Sequence, residues 1–227
     1  MKVAEIFYSI QGEGTLAGVP SAFVRTSGCN LRCEWCDTPY TSWTPEGHDT
    51  TIAEIIDLVE RFSPTHVVVT GGEPMIAPEI VELTHALKEL GAHITMETAG
   101  TVFKPVVCDL MSVSPKLANS TPHERESGKW AAQHDHLRYQ PETLRKLAAD
   151  FEHQFKFVVA SPEDVAEIEV ILSETGVRRE RVLLMAEGTS PEVIRERSIW
   201  IAEMCKREHF RYSPRLHIDL WGNRRGV

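Results

Sequence analysis

Short β-branched and aromatic runs alternate with amphipathic helical periods along almost the whole of this 227-residue chain. Strand, helix and strand in succession read as a crossover unit, so the rhythm predicts an α/β fold on a parallel sheet. Strands are expected at Lys2 to Phe7, Ser21 to Thr26, His66 to Thr70, His93 to Glu97, Val106 to Val113, Gln154 to Val159, Arg181 to Met185 and Leu216 to Leu220. Thr51-Ile52-Ala53-Glu54 has the pattern of a capping box, and Ile52, Ile55, Ile56 and Val59 then recur on one helix face, with Pro64 just beyond its end. Pro78 opens a second helix whose apolar side is Ile80, Val81, Leu83, Leu87 and Leu90, and Gly91 can close it in the left-handed conformation. Further helices begin at Ser161-Pro162, stopping near Gly176, and at Ser190-Pro191, running to Lys206.

Ala118 to Gln140 breaks the rhythm: it is polar, carries His123, His134 and His136, and has no sustained period. Irregular stretches beyond about 12–15 residues tend to be functional or mobile in compact domains, so this one is read as an excursion or lid on a single domain spanning residues 1–227. Hydrophobic residues make up 42% and charged ones 25%, the balance of a globular chain with a substantial core. Lys and Arg number 24 against 33 Asp and Glu, a formal charge of −9. That argues against a chain whose main work is neutralising a phosphate backbone. No apolar run approaches the roughly 18 residues of a membrane span, and Glu5 interrupts the stretch where a signal peptide would be apolar. The expectation is a cytoplasmic protein that binds neither nucleic acid nor membrane.

Of five cysteines, Cys29, Cys33 and Cys36 are crowded into eight residues, while Cys108 and Cys205 stand alone in apolar patterns. An odd, uneven set is no disulfide framework, and a tight trio in a reducing compartment holds metal. A structural zinc site takes four ligands, so zinc would need Cys108 or Cys205 as well. A 4Fe-4S cluster held by three cysteines leaves one iron open to bind something else.

The Cys-x3-Cys-x2-Cys spacing, followed by Val67-Val68-Val69 and then Thr70-Gly71-Gly72-Glu73-Pro74, resembles the two signatures of the radical S-adenosylmethionine (SAM) superfamily. The resemblance implies a compact, partial (β/α)6 TIM-like radical SAM barrel. It also implies that the open iron chelates the amino acid end of SAM and that a 5′-deoxyadenosyl radical abstracts hydrogen from the substrate. Gly71 and Gly72 would let the backbone approach a ligand, although a strand-to-helix turn would explain one of them equally well. Phe7-Tyr-Ser-Ile-Gln-Gly-Glu-Gly14, Arg25, Cys36-Asp-Thr-Pro-Tyr40, Glu97-Thr-Ala-Gly-Thr101, Ser114-Pro-Lys116 and Leu216-His-Ile-Asp-Leu-Trp-Gly222 resemble the 7-carboxy-7-deazaguanine synthase family over nearly the whole chain. That family converts 6-carboxy-5,6,7,8-tetrahydropterin to 7-carboxy-7-deazaguanine with loss of ammonia, a lyase step toward queuosine and other 7-deazapurines. It uses magnesium and forms homodimers, and the chemistry calls for an electron donor such as flavodoxin or ferredoxin.

Carried over position by position, the resemblance puts Cys29, Cys33 and Cys36 on the cluster. Trp35, Cys36, Asp37, Gly72, Ser114, Pro115, Lys116, Leu184, Met185, Ala186 and Glu187 would lie along SAM. Thr38 would be the one protein ligand of Mg2+, which suits a cation that keeps its waters and takes substrate oxygens. Ile10, Gln11 and Gly12 would offer backbone groups to the pterin edge, while Arg25 and Thr70 reach its polar substituents, Arg25 as a bidentate fork for a carboxylate. Glu13 and Glu97 are candidates for the guanidine-like edge and a ribose. Two departures lie outside the cysteine run: Ala99 and Ala186 stand where relatives often carry asparagine and proline.

Other residues have a plainer reading. Lys156 interrupts Phe155 and Phe157-Val158-Val159 and faces either solvent or the barrel interior. His134-Asp-His136 lies in the excursion without further ligands and is read as solvated. Trp43, Trp130, Trp200 and Trp221 are read as packing or dimer contacts, since no basic stripe accompanies them. Two rival functions share the trio: a glycyl-radical activating enzyme, and a zinc-bearing structural or RNA-interacting module.

Overall fold

The computed structural model describes residues 1–227. Its strands are β1 Lys2–Ile10, β2 Pro20–Thr26, β3 His48–Asp49, β4 His66–Gly71, β5 His93–Thr98, β6 Leu110–Val113, β7 His153–Val159, β8 Val182–Ala186 and β9 Arg211–Ser213. The helices are α1 Pro39–Ser42, α2 Ile52–Glu60, α3 Ile80–Glu89, α4 Ala131–Arg138, α5 Pro141–Asp150, α6 Asp164–Thr175, α7 Pro191–Glu208 and α8 Leu216–Trp221. All nine strands form one open sheet in the order β3-β1-β2-β4-β5-β6-β7-β8-β9. From β2 onward each neighbour is parallel, while β1 pairs antiparallel with β2, and β3 with β1. The parallel α/β sheet is what the strand and helix rhythm called for, and its open form is the partial TIM-like barrel that the resemblance implied.

Period-2 alternation in the strands builds two different faces. Val24, Val67, Val69, Ile94, Met96, Phe155, Phe157, Leu184 and Ala186 turn outward into a core of 37 buried residues shared with the helices. The intervening Phe23, Arg25, Val68, Thr70, Glu97, Lys156, Val158 and Met185 turn inward and line a cavity. Local signals place the helices against this sheet. The capping box at α2 is formed, with the Glu54 amide donating to Thr51 Oγ1 at 3.3 Å and the Thr51 amide donating to Glu54 at 2.8 Å. Gly176 ends α6 at φ +72°, a conformation that costs glycine little.

Three expectations are corrected. Val106 to Val113 contributes a strand only from Leu110, because β5 begins at His93 and residues before Asp109 have no strand to pair with. Leu216 to Leu220 is helix, not strand. The edge beyond β8 is already taken by Arg211–Ser213, and the Arg215 carbonyl accepts the amides of Ile218 and Asp219 at 2.9 and 3.1 Å to start the turn. The apolar alternation there is half real: Ile218 is buried, whereas Leu220 is 55% exposed. Finally, Ala118 to Gln140 is not a loose excursion, since it contains α4, and His134 within it is buried rather than solvated. No helix is long and apolar enough to cross a membrane.

Candidate active site

The interior cavity has a volume of about 470 Å³ and opens at the carboxyl ends of the strands, where the connecting loops converge. Cys29, Cys33 and Cys36 all line it. They sit on a loop after β2 without regular secondary structure, which makes its shape depend on specific bonds. The Arg32 guanidinium donates to the carbonyls of Cys29 and Leu31, both at 2.8 Å, and Trp43 Nε1 donates to the Cys33 carbonyl at 3.0 Å. The Leu31 amide lies 3.3 Å from Cys29 Sγ and the Ser42 hydroxyl 3.2 Å from Cys36 Sγ. Burial pushes the Cys29 thiol up to about 12 and Cys33 higher still. Cys205 belongs to the main core, Cys108 packs half-buried against it, and neither lines the cavity. Three sulfurs facing one cavity, two of them too buried to ionise without a cation beside them, suit a cluster that keeps one iron open.

The Gly71-Gly72-Glu73 segment is required by packing. A Cβ at Gly71 would lie 2.3 Å from the Thr26 carbonyl oxygen, and one at Gly72 would lie 2.2 Å from the Gly28 oxygen and 2.8 Å from Cys29 Cβ. Both glycines therefore let β4 press against the start of the cysteine loop, so the packing explanation covers both rather than one. Glu73 is fully buried and accepts from the Met75 amide (3.0 Å), Thr98 Oγ1 (2.8 Å) and the Ala99 amide (2.7 Å). Burial raises its pKa, against the pull of those donors. Gly72→Ala should shift the cysteine loop and cost about 1–3 kcal/mol, as overpacking does. Urea unfolding and iron bound per chain after reconstitution are the measurements, and unchanged values in both would refute this account of the glycine.

Among the other residues singled out along SAM, Trp35, Asp37, Ser114, Lys116 and Met185 line the cavity. Lys116 Nζ donates to the Ser114 carbonyl at 2.7 Å and to its hydroxyl at 2.9 Å. Pro115 is buried outside the cavity wall, and the side chains of Leu184 and Ala186 point into the core on the outward face of β8. Glu187 lies beside a smaller neighbouring pocket and is ion-paired with Arg197. Thr38 lines the cavity, accepts a hydrogen bond from Thr41 Oγ1 at 3.4 Å and lies 3.9 Å from Cys36 Sγ.

Just before the cysteine loop and the glycine segment, Arg25 and Thr70 are paired across β2 and β4. Arg25 Nε donates to Glu5 at 2.7 Å, and Glu5 also accepts from Tyr40 at 2.7 Å. One edge of the guanidinium is thus held in place while the residue lines the cavity. Ile10, Gln11 and Gly12 line it too, with several of their backbone groups already bonded within the protein. The Gln11 amide donates to the Val19 carbonyl at 2.8 Å, its carbonyl accepts from Gly18 at 2.7 Å, and the Gly12 carbonyl accepts from Leu216 at 2.9 Å. The turn takes the Gln11 groups and α8 the Gly12 carbonyl, which leaves the Gly12 amide without a partner inside the protein.

The floor is a buried ionic network that sequence reading largely missed. Lys156, only 3% exposed, donates to Glu13 at 2.6 Å and Glu97 at 3.1 Å. Arg215, 4% exposed, donates to Glu13 at 3.2 Å and pairs with Asp37. Burial works to raise the Glu13 pKa, but Lys156 and Arg215 outweigh it and hold the carboxyl below the usual range. Burial likewise opposes the charge on Lys156, and Glu13 and Glu97 together raise its pKa. The one visible signal was Lys156 itself, a cation at even spacing inside an apolar strand. His217, packed where a Cβ on Gly12 would stand, also lines the cavity, as do residues 223–227, where the Arg225 guanidinium stacks 3.6 Å over the Tyr40 ring.

A three-cysteine loop at the mouth of a partial barrel, packed against a glycine-rich strand end, defines the class: this is a radical SAM protein, and the Radical SAM superfamily profile matches residues 23–118. A curated relative from Halobacterium salinarum, named 7-carboxy-7-deazaguanine synthase, is 45% identical over 98% of this chain and 91% of its own length. A second of the same name, from Rhodopirellula baltica, is 44% identical over 99% and 88%. The crystal structure of QueE from Escherichia coli superposes with a TM-score of 0.69 at 24% identity, covering 93% of this chain and 92% of that one, which shows the shared fold. The chain belongs to the 7-carboxy-7-deazaguanine synthase family. It is an enzyme with a radical SAM role in queuosine biosynthesis, acts on a small molecule, and has the family's cofactors: a 4Fe-4S cluster, SAM and Mg2+.

Proposed function

We propose that the chain, acting as a single domain over residues 1–227, converts 6-carboxy-5,6,7,8-tetrahydropterin to 7-carboxy-7-deazaguanine with release of ammonia. The observation that carries this reading is that the cysteine trio and a half-anchored arginine share one cavity, which suits a small anionic substrate better than a polypeptide. When bound, the reduced cluster and SAM would supply the radical chemistry for hydrogen abstraction at C6 of the pterin, and Mg2+ would assist the ring contraction.

The protein's own part is to hold, orient and shield. Cys29, Cys33 and Cys36 hold the cluster. Trp35, Cys36, Asp37, Gly72, Ser114 and Lys116 border SAM, with Met185 supplying the side-chain contact from β8 and Pro115, Leu184, Ala186 and Glu187 contributing through their backbone. Arg25, kept in place by Glu5, turns its remaining N–H groups to the substrate carboxylate beside Thr70, and the side chain of Gln11 reaches the pterin edge with Gly12. Glu13 and Glu97, already bonded to Lys156, fix the floor against which the substrate rests. Thr38 offers Mg2+ its one protein oxygen, so Thr38→Ala should raise the Mg2+ concentration needed for half-maximal activity while leaving cluster content unchanged. The working unit is a cytoplasmic homodimer reduced by a flavodoxin or ferredoxin.

The test is anaerobic reconstitution with iron and sulfide, then dithionite, SAM, Mg2+ and the pterin, with products identified by mass spectrometry. Formation of 7-carboxy-7-deazaguanine, with one SAM supporting many turnovers, is expected. SAM cleavage with the pterin untouched would overturn the substrate assignment.

A further inference from the structure

The segment from Leu117 to Arg138 makes a set of hydrogen bonds with the cysteine loop. The Glu34 amide donates to the Ser120 carbonyl at 2.8 Å, and Trp35 Nε1 donates to the Asn119 carbonyl at 3.0 Å. Glu34 in turn accepts from the Arg125 amide at 3.2 Å, and the Arg32 guanidinium stacks 5.3 Å from the Trp130 ring centre. At the middle of these contacts His134 is 1% exposed, with Nδ1 at 3.1 Å from the Arg32 amide and Nε2 at 2.9 Å from Ser120 Oγ.

The partners determine where the imidazole proton lies. Ser120 Oγ gives its single proton to the Leu117 carbonyl at 2.6 Å, so towards His134 it can only accept. Nε2 therefore carries the hydrogen, and Nδ1 presents a lone pair to the Arg32 N–H. A protonated ring would point N–H at N–H. Burial lowers the His134 pKa to about 4, Asp135 working against it and Arg138 and Lys116 with it, in keeping with a neutral ring.

We propose that His134 is a positioning residue for the cluster loop: its neutral imidazole, oriented by Ser120, ties the Arg32 amide, one residue before Cys33, directly to α4. Residues 117–138 then form a fixed clamp behind the cluster, not a lid over the cavity. The proposal rests on the reading that Cys29, Cys33 and Cys36 hold the cluster. Arg32 couples the two sides, because the same residue whose amide His134 accepts also donates its guanidinium to the Cys29 and Leu31 carbonyls.

The test compares full-length wild type with His134→Ala, His134→Asn and the exposed control His136→Ala. The first readout is amide hydrogen exchange resolved at Arg32 to Glu34. The second is the electron paramagnetic resonance spectrum of the reduced, reconstituted cluster with and without SAM. His134→Ala should speed exchange at Arg32 about tenfold, as expected when a buried amide loses a hydrogen bond of ordinary net strength, with α3 amides unchanged. The SAM-induced change in its cluster spectrum should differ from wild type. His134→Asn, whose side-chain oxygen can sit where Nδ1 does, should restore both readouts, and His136→Ala should alter neither. Wild-type exchange at Arg32 in the alanine variant overturns the clamp. So does exchange that quickens equally in α3, which would make His134 a residue of general stability. If wild type binds no cluster, the cysteine assignment fails, and the exchange data still decide whether His134 holds the loop.

Discussion

Cys33→Ala is expected to leave the sheet folded and to abolish product formation. Cys33 is 8% exposed and packs with Leu31 and Ala99 in a small cluster apart from the main core. Trimming a sulfur there removes one atom from a site at the cavity wall, so urea unfolding of the iron-free chain should shift by no more than about 1 kcal/mol. The effect on cofactor binding is of another order, because two remaining sulfurs leave a cluster with two unprotected irons. After reconstitution the variant should show little cluster iron and none of the visible absorption of the wild type. A Cys33→Ala protein with wild-type iron and turnover would remove the trio from the mechanism.

Lys156→Met should be the most damaging single change to stability, despite similar side-chain volume. Removing the cation leaves Glu13 and Glu97 facing each other at the cavity floor, with Arg215 as the remaining partner of Glu13. Breaking a buried ion pair from one side costs about 3–5 kcal/mol. The pH dependence identifies the cause. In wild type the depressed Glu13 pKa contributes stability that is present above the unfolded carboxylate value near 4.3 and is lost below it. The raised Lys156 pKa contributes stability that is full below about 10.4 and is lost above it. In the variant Glu13 keeps only Arg215 while burial still opposes its charge, so its pKa rises and protonation relieves the cost at a higher pH than in wild type. The gap between the two proteins, measured by urea unfolding, should be wider at pH 7 than at pH 5. A gap that is constant with pH would mean that lost packing, not stranded charge, is responsible.

What the sequence made legible, and what it hid, follows from the range of the interactions. The cysteine trio, the capping box at Thr51 and the valine run before Gly71 are local patterns, and each sits where local physics places it. The face of each strand was also within reach: Leu184 and Ala186 alternate with Met185, and only Met185 turns inward. Contacts to a ligand from Leu184 and Ala186 are therefore left to their backbone. Leu216 to Leu220 misled because apolar alternation says nothing about whether a sheet edge is free, and β9 had taken it. His134 appeared solvated because its partners, Arg32 and Ser120, lie 102 and 14 residues away. Arg215 gave no local sign at all, since its pairs with Glu13 and Asp37 span 202 and 178 residues. Pairs of that kind exist only once the barrel has brought its first and last strands around one cavity.

The proposed reaction removes the hydrogen at C6 of 6-carboxytetrahydropterin and returns a hydrogen after the ring has contracted. The conversion is redox-neutral overall, since ammonia is the only other product, so the abstracted hydrogen can be given back and SAM regenerated. The direct measurement uses substrate deuterated at C6 with the reconstituted enzyme, dithionite and Mg2+, followed by mass spectrometry of the SAM pool and the product. The account predicts deuterium appearing in SAM as 7-carboxy-7-deazaguanine accumulates. Product formed with SAM remaining unlabelled would contradict abstraction at C6.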